Sequence, residues 1–207
     1  MTEAWLVRLA AHPVMARLTR ALAAHQPREI AAASSVRLAS ILLVVRARED
    51  GEPELLMIKR AEAEGDPWSG HIACPGGRWE PHDPDLAATA VRETLEETGV
   101  DVARDGRVIG QLDDLRPISP SLPPIVIRPF VAIVRPDVEI VPSREVAISF
   151  WVPLALLLSR YPWRTEIVRV GGVDMSVAAF QHDVYTVWGL TERVLRQFVG
   201  LLGGGET

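Results

Sequence analysis

Three carboxylates lie close together in residues 92–99, which read RETLEETG. If this segment is a helix, Glu93 and Glu97 are one turn apart on the same face, and Glu96 lies beside them. Like charges on one helix face repel each other, and a hard divalent cation such as Mg²⁺ would neutralise them. The spacing therefore predicts a metal site. The competing interpretation is an ordinary amphipathic helix whose glutamates are solvated.

The residues around this cluster predict the helix that would position it. Asp83 followed by Pro84 has the pattern of an N-cap with proline in the first turn. Gly99 suits the left-handed position at the C-terminal end. An apolar or neutral stripe, expected to face the core, recurs at helical spacing. Its members are Ala87, Val91, Leu95 and Thr98.

Two further features would orient the acidic cluster. Arg92 and Glu96 are four residues apart, so their side chains can form an ion pair on the helix surface. Upstream, Gly76 and Gly77 have no side chains, which lets the backbone approach an anion or a metal ion closely. Together with the carboxylates, these residues predict a loop and a helix that share one site.

These residues resemble the Nudix box, whose usual pattern is G-x5-E-x7-R-E-U-x-E-E-x-G-U, where U is aliphatic. Asp83 stands where the first Glu is usual, one extra residue precedes Arg92, and Thr94 fills the first U position. The residues that match the pattern are Gly77, Arg92, Glu93, Glu96, Glu97, Gly99 and Val100.

The extra residue sharpens the resemblance to the coenzyme A pyrophosphatase branch of Nudix hydrolases. That branch commonly reads F-P-G-G-K-x-D-P-x-D-x-D-x-x-x-T-A-x-R-E. This chain has CPGGRWEPHDPD at residues 74–85 and TAVRE at residues 89–93. Residues 187–191, VWGLT, are also similar to the I-W-G-x-T found late in that branch.

A motif of the same branch lies upstream of the box, L-L-x-x-R followed by G-x3-F-P-G-G. Residues 55–56, Arg60 and residues 70–77 satisfy it in part. Cys74 stands where Phe is usual, and Asp66 replaces a second Arg. Because the 3′-phosphate and the diphosphate of coenzyme A need cations, these departures favour ADP-ribose or another nucleotide sugar as the alternative substrate.

The resemblance implies a Mg²⁺-dependent (or Mn²⁺-dependent) hydrolase acting on a nucleoside diphosphate derivative, most specifically coenzyme A or an acyl-coenzyme A. A Nudix-fold protein that binds a nucleotide without hydrolysing it is the third alternative. The metal ligands it implies are Glu93, Glu97, Glu96 and the carbonyl of Gly77. The catalytic residues it implies are Arg92, Glu93 and Glu96. The substrate contacts it implies are Arg60, Arg78 and Gly76.

Several roles stay open at this point. Any one of the clustered carboxylates could act as the general base instead of a ligand. Glu145 lies where some Nudix enzymes recruit a metal ligand or base, although an exposed loop carboxylate is the simpler interpretation. Trp68 could stack on an adenine, but it is better explained as a half-buried loop anchor.

Composition bounds the remaining possibilities. The chain has 207 residues, of which 48% are hydrophobic and 24% charged, which suits one domain with a full core. The net charge of −5 and the lack of a basic patch argue against a nucleic-acid partner. Cys74 is the only cysteine, so an internal disulfide is excluded. No apolar run approaches a membrane span and no signal peptide is recognisable, so a cytoplasmic location is expected.

The predicted fold class is α/β, and the resemblance implies the Nudix-type α/β/α sandwich with a mixed β-sheet. Residues 1–35 are expected to form a helical extension with a break at Pro13, and residues 36–203 the Nudix hydrolase domain. Contact between two copies through these helices would make a homodimer. Pro129 predicts an edge position or a bulge in its strand. The proline-rich loop at residues 113–124 is a candidate wall of the substrate site.

Overall fold

The computed structural model describes residues 4–33, 35–48, 50–118, 122, 124–160, 163–170 and 172–203. The sequence predicts a frayed tail at residues 203–207, of which only Gly203 belongs to the described residues. The helices are α1 (Ala4–Ala11), α2 (Pro13–Ala24), α3 (Leu86–Thr98), α4 (Val102–Asp105), α5 (Leu154–Leu158) and α6 (Gly189–Leu201). The strands are β1 (Arg37–Ala47), β2 (Pro53–Arg60), β3 (Ile72–Ala73), β4 (Gly76–Arg78), β5 (Gly106–Gln111), β6 (Ile125–Val134), β7 (Val146–Pro153), β8 (Trp163–Val170), β9 (Val173–His182) and β10 (Tyr185–Trp188).

Strand β1 is the centre of a mixed sheet. It pairs in parallel with β6 and antiparallel with β2 and β4, and the order β3-β2-β1-β6-β5 is completed by β7 against β2. The polar turn with Gly51 and Pro53 between two apolar runs predicts a hairpin, and the pairing of β1 with β2 confirms it. Strands β8, β9 and β10 form a separate antiparallel sheet, in which β8 and β9 pair as the two glycines at residues 171–172 of the sequence predict.

Both faces of the central sheet are covered by helices. Successive side chains of a strand point to opposite faces, so the apolar run of β1 supplies two cores. Leu42 and Val44 belong to the cluster beneath α3 and α4, whereas Leu43 and Val45 belong to the larger cluster beneath α1, α2, α5 and α6. This arrangement confirms the predicted α/β/α sandwich.

The N-terminal helices pack against the larger core. Leu9 of α1 and Met15, Leu18 and Leu22 of α2 are buried in the same cluster as Phe198 of α6. Proline at the first position of α2 separates the two helices, as the sequence predicts. Among the described helices, none is long and apolar enough to span a membrane.

Three local expectations were wrong. Pro129 lies in a strand flanked by β1 and β5, not at an edge, and the irregularity is a register shift in β5 between Val108 and Gly110. The residues RDG at 104–106 predict a turn, but they are the end of α4 and the start of β5. The amphipathic pattern of residues 187–202 predicts the last helix, but this helix begins at Gly189 because the residues before it form β10.

Truncation of Leu18 tests whether the N-terminal helices belong to the cooperative core. Leu18 is fully buried, so Leu18→Ala is expected to lower the free energy of unfolding by about 2–5 kcal/mol. Val7 on α1 is 55% exposed, and Val7→Ala is expected to change it by less than about 0.5 kcal/mol. Urea unfolding of both variants measures the difference. Equal stability of the two would show that the helices do not contribute to the core.

Candidate active site

Helix α3 begins two residues later than the sequence predicts. Asp85, not Asp83, is the N-cap, because its carboxylate accepts a hydrogen bond from the backbone N–H of Ala88 at 2.8 Å. The C-terminal end is as predicted. Gly99 has a φ of +74° and its N–H donates to the carbonyl of Leu95.

The buried face of α3 agrees with the predicted stripe except at one position. Thr98 is fully buried and Ala87 and Val91 pack against the core, but Leu95 is 44% exposed and Thr94 is buried instead. The hydroxyl of Thr94 donates to the carbonyl of Ala90 at 2.7 Å, and that of Thr98 to the carbonyl of Thr94 at 2.6 Å. Because these bonds satisfy the hydroxyls, threonine can occupy the core face. Glu97 is buried as well.

Arg92 contacts three of the carboxylates in and before α3. Its Nε and Nη2 donate to the two oxygens of Asp83 at 2.9 and 2.8 Å, and its Nη1 lies 3.0 Å from Glu93. The predicted ion pair with Glu96 is present at 3.2 Å. Asp83 is only 5% exposed, and the hydrogen bonds from Arg92 hold its pKa well below the usual range.

Asp83 is the residue that the sequence interpretation placed wrongly. It was expected to cap the helix, yet its carboxylate also accepts a hydrogen bond from Thr89 at 3.0 Å and anchors Arg92. The sequence did contain a signal for a role other than capping, because Asp83 stands where the Nudix pattern usually has its first Glu. The structure makes it a positioning residue for Arg92.

Glu97 lies deepest of the clustered carboxylates. One of its oxygens accepts a hydrogen bond from the N–H of Gly76 at 2.8 Å, and the other lies 3.8 Å from Nη1 of Arg60. Burial raises the pKa of Glu97 to about 7 and also raises the pKa of Glu93. The charge of Glu145, which is exposed just before β7, adds to both shifts, so this residue lies beside the cluster.

The two glycines are held against the cluster by strand pairing. Gly76 and Gly77 pair with Ile41 and Ser40 of β1. A Cβ at Gly77 would lie 2.3 Å from the carboxyl carbon of Glu93, so any side chain here would displace the carboxylate. The predicted closeness of the glycine loop and the acidic helix is therefore present.

The donors fit a hard divalent cation in type, although they do not all converge on one point. Carboxylate and carbonyl oxygens are the ligands that Mg²⁺ prefers. Within the described ranges, no three Asp, Glu, His or Cys side chains are arranged as a ready metal site. Glu93 and Glu96 instead contact Arg92, and Glu97 contacts Gly76. A bound cation would compete with these protein donors.

A cavity of about 480 Å³ opens beside the cluster. The predicted substrate contacts Arg60, Arg78 and Gly76 all line it, as does Gly77. Leu115 from the loop that was predicted as a wall also contributes. The other lining residues are Ala39, Ile41, Glu64, Gly65, Asp66, Pro67, Trp68, His71, Ala73, Cys74, Ile125, Ile127, Trp188, Leu190, Thr191 and Val194.

Two walls of the cavity come from segments far apart in sequence. Trp68 lies in the loop after β2, and Trp188 ends β10. The ring of His71 lies 4.6 Å from that of Trp188, which joins the two segments. Trp188, Leu190 and Thr191 belong to the segment that is similar to the late motif of the coenzyme A branch.

The profile of the NUDIX domain matches residues 36–170. A protein of Yersinia enterocolitica named "Uncharacterized Nudix hydrolase NudL" is 33% identical over 175 residues, covering 83% of this chain and 85% of its own. The chain belongs to the Nudix hydrolase family. A namesake in an Enterobacter species is 34% identical over 170 residues, which cover 81% of this chain and 83% of that protein.

A solved Nudix structure shares the fold. The MutT/nudix family protein from Enterococcus faecalis has a TM-score of 0.54 at 15% identity, covering 85% of this chain and 66% of that one. The prediction of a Nudix pyrophosphohydrolase is thus confirmed at the level of the family. In this Nudix hydrolase, Arg92 contacts Glu93 and Glu96 of the box and Asp83 before it, while the roles of the individual box residues stay predictions.

Removal of the Asp83 charge tests its contacts with Arg92. Asp83→Asn is expected to lower the free energy of unfolding by roughly 2 kcal/mol, because the buried carboxylate and its charged donor would lose their pairing. Asp85→Asn is the matched control, since Asn caps a helix as well as Asp does. Thermal unfolding should separate the two variants. If they are equally stable, the Asp83–Arg92 pair is not a stabilising contact.

Glu97 predicts a pH dependence of stability in metal-free protein. Its pKa rises from 4.5 to about 7 on folding, so the folded state binds the additional proton between these values. The free energy of unfolding therefore falls as pH rises through this window, by about 3 kcal/mol in total. Glu97→Gln should remove this part of the slope. Parallel slopes for wild type and variant, measured by urea unfolding in chelator, would contradict the prediction.

Proposed function

We propose that this protein is a divalent-metal-dependent hydrolase that cleaves the pyrophosphate link of a nucleoside diphosphate derivative. The observation that supports this most is the position of the buried Glu97 and the neighbouring Glu93. Both lie against the glycine loop that forms one side of the 480 Å³ cavity. Arg60 and Arg78 line the cavity, and the glycine loop that also lines it contacts the carboxylates behind it. This arrangement suits a ligand with both metal-bound and arginine-bound phosphates.

A bound Mg²⁺ (or Mn²⁺) would neutralise charge on the two phosphates and lower the pKa of a coordinated water. Glu93, Glu96, Glu97 and the carbonyl of Gly77 would hold it, as the oxygen donors present permit. Burial is the main cause of the raised pKa values of Glu93 and Glu97, and repulsion from neighbouring carboxylates adds to both; a bound cation would oppose these shifts.

The reaction consumes one water molecule. Its oxygen attacks one phosphorus, the bond from that phosphorus to the bridging oxygen breaks, and two phosphomonoesters leave. One carboxylate of the cluster takes the proton of the attacking water. Arg60 and Arg78 line the cavity and would bind phosphate oxygens, while Arg92 keeps Glu93 and Glu96 oriented. Gly76 contributes by fixing Glu97 through its N–H.

Coenzyme A or an acyl-coenzyme A is the leading substrate class. The products would be 3′,5′-ADP and 4′-phosphopantetheine or its acyl form. Two features favour this class: the extended Nudix box, and the similar late segment, whose residues Trp188, Leu190 and Thr191 line the cavity. The similar proteins from Yersinia enterocolitica and Enterobacter are named only as Nudix hydrolases, which is compatible with a coenzyme A substrate.

ADP-ribose or another nucleotide sugar is the second candidate. The ion pair between Arg60 and Asp66, at 2.8 Å, favours it, because this aspartate replaces a cation of the coenzyme A motif. A nucleotide-binding protein without catalysis is disfavoured, since it has no need of an intact acidic cluster on α3.

A substrate panel tests the proposed function. Coenzyme A, acetyl-coenzyme A, ADP-ribose, NADH, diadenosine polyphosphates and nucleoside triphosphates are incubated with Mg²⁺ and with Mn²⁺, and products are identified by mass. Fastest release of 4′-phosphopantetheine from coenzyme A compounds would support the leading class. Fastest cleavage of ADP-ribose would support the second. Binding of these compounds without turnover would overturn the hydrolase proposal.

Substitution of the deepest carboxylate tests the role of the cluster. Glu97→Gln is expected to lower kcat by several orders of magnitude with the fold intact, because it removes one charge from the proposed metal ligands. Glu139→Gln is the control, since Glu139 is an exposed carboxylate that does not line the cavity. Near wild-type turnover in Glu97→Gln would exclude Glu97 from the metal site.

A further inference from the structure

We propose that the cavity selects nucleoside diphosphate derivatives that carry no phosphate group beyond the cleaved diphosphate. Within the coenzyme A class, this substrate is dephospho-coenzyme A, which lacks only the ribose 3′-phosphate. The inference rests on the proposed function and narrows its substrate. Hydrolysis of dephospho-coenzyme A adds one water and yields AMP and 4′-phosphopantetheine.

The first argument is the charge balance of the cavity. The charged residues that line it are Arg60, Arg78, Glu64 and Asp66, and their charges cancel. Burial lowers the pKa of His71, so its imidazole adds no positive charge at neutral pH. A phosphomonoester brings between one and two negative charges near pH 7. The lining offers no net charge to balance it.

The second argument is the environment of Arg60. Its Nη2 donates to Asp66 at 2.8 Å, and its Nη1 faces Glu97 at 3.8 Å. The guanidinium is therefore already placed between two carboxylates. Asp66 therefore offsets the charge of Arg60, although it occupies only one of the donors: Nε of Arg60 has no hydrogen-bond partner among the described residues. A phosphate that binds Arg60 would lie next to the negative charge of Asp66.

Asp66 is held firmly in this position. Its other oxygen accepts a hydrogen bond from the backbone N–H of Trp68 at 3.0 Å. Although burial alone would raise it, the pKa of Asp66 lies below its ordinary value because Arg60 and this N–H donate to the carboxylate. Asp66 is thus ionised at neutral pH, and its loop provides no substitute cation: residues 61–70 contain Glu62, Glu64 and Asp66 but no Lys or Arg.

Arg78 is the remaining cation. It is exposed on β4 next to Gly77, and no carboxylate of the described residues forms an ion pair with it. Its position beside the glycine loop suits the cleaved diphosphate, which needs this charge for itself. A further phosphate on the ribose would add negative charge to a cavity whose lining carries no net positive charge to balance it, which is unfavourable.

The experiment compares two substrates that differ in one phosphate. kcat/KM is measured for dephospho-coenzyme A and coenzyme A with wild type, Asp66→Asn, Asp66→Arg and Glu139→Arg. Wild type is expected to prefer dephospho-coenzyme A by about tenfold or more, as a like-charge contact of this kind implies. Asp66→Arg should shift the ratio toward coenzyme A by about tenfold. Glu139→Arg, with the same change in net charge, should leave the ratio unchanged.

A binding measurement gives a readout that is independent of turnover. Calorimetric titration of wild type with AMP and with adenosine 3′,5′-bisphosphate should show the weaker affinity for the bisphosphate, and Asp66→Arg should reverse the order. Asp66→Asn decides the question if Asp66→Arg does not fold, because an amide oxygen can still accept from Trp68. It should show a smaller shift in the same direction.

The outcomes separate the two proposals. Equal or faster cleavage of coenzyme A by wild type, or an unchanged ratio in folded Asp66 variants, would overturn the selectivity while leaving the hydrolase intact. Lack of cleavage of every pyrophosphate compound would overturn the proposed function. In that case the two adenosine nucleotides still test the selectivity, and equal affinities would overturn it as well.

Discussion

Mutual repulsion among carboxylates is the constraint around which this structure is arranged. Asp83, Glu93 and Glu96 would repel each other without a shared partner. The guanidinium of Arg92 is that partner, because its nitrogens contact all three carboxylates. That contact ties the loop before α3 to the helix itself. Glu97 does not contact Arg92. It is held in place by a hydrogen bond from the backbone N–H of Gly76 and by burial next to the glycine loop. Arg92 and the N–H of Gly76 both belong to the box or to the loop just before it, and Arg60 of β2 adds a second positive charge 3.8 Å from Glu97.

The fold class was predictable because its signals are local and redundant. Apolar runs of strand length, a Gly-containing hairpin and an acidic helix with a terminal glycine each indicate their own element. The errors arose where a pattern has two physical explanations. Proline usually marks a sheet edge because it lacks an N–H, yet Pro129 lies inside the sheet, with the register shift in the adjacent strand. β10 was missed because its residues also continue the helical periodicity of α6.

The site was predictable only in part, for a related reason. Arg92, Glu93 and Glu97 lie within two turns of one helix, so spacing alone brings them together, whereas Gly77 is held beside them by strand pairing with β1. The exchange of Leu95 for Thr94 on the buried face of α3 was not predictable from hydrophobicity, because Thr94 buries a hydroxyl that bonds to the helix backbone. The lining of the cavity could not be predicted from the sequence for a different reason. Ala39, Ile125 and Val194 meet there because of sheet order and helix docking, which no local pattern encodes.

The cavity wall formed by α6 has a consequence for the growing chain. The carboxylates and the glycine loop are complete once residue 99 has been made, but Trp188 and Thr191 follow almost ninety residues later. A chain that ended before α6 would therefore contain every carboxylate of the cluster but lack one wall of the cavity. The same helix supplies Phe198 to the buried cluster that also holds Leu9 and Leu18 of the first two helices. Loss of α6 would thus remove a surface of the ligand cavity and part of the larger core together.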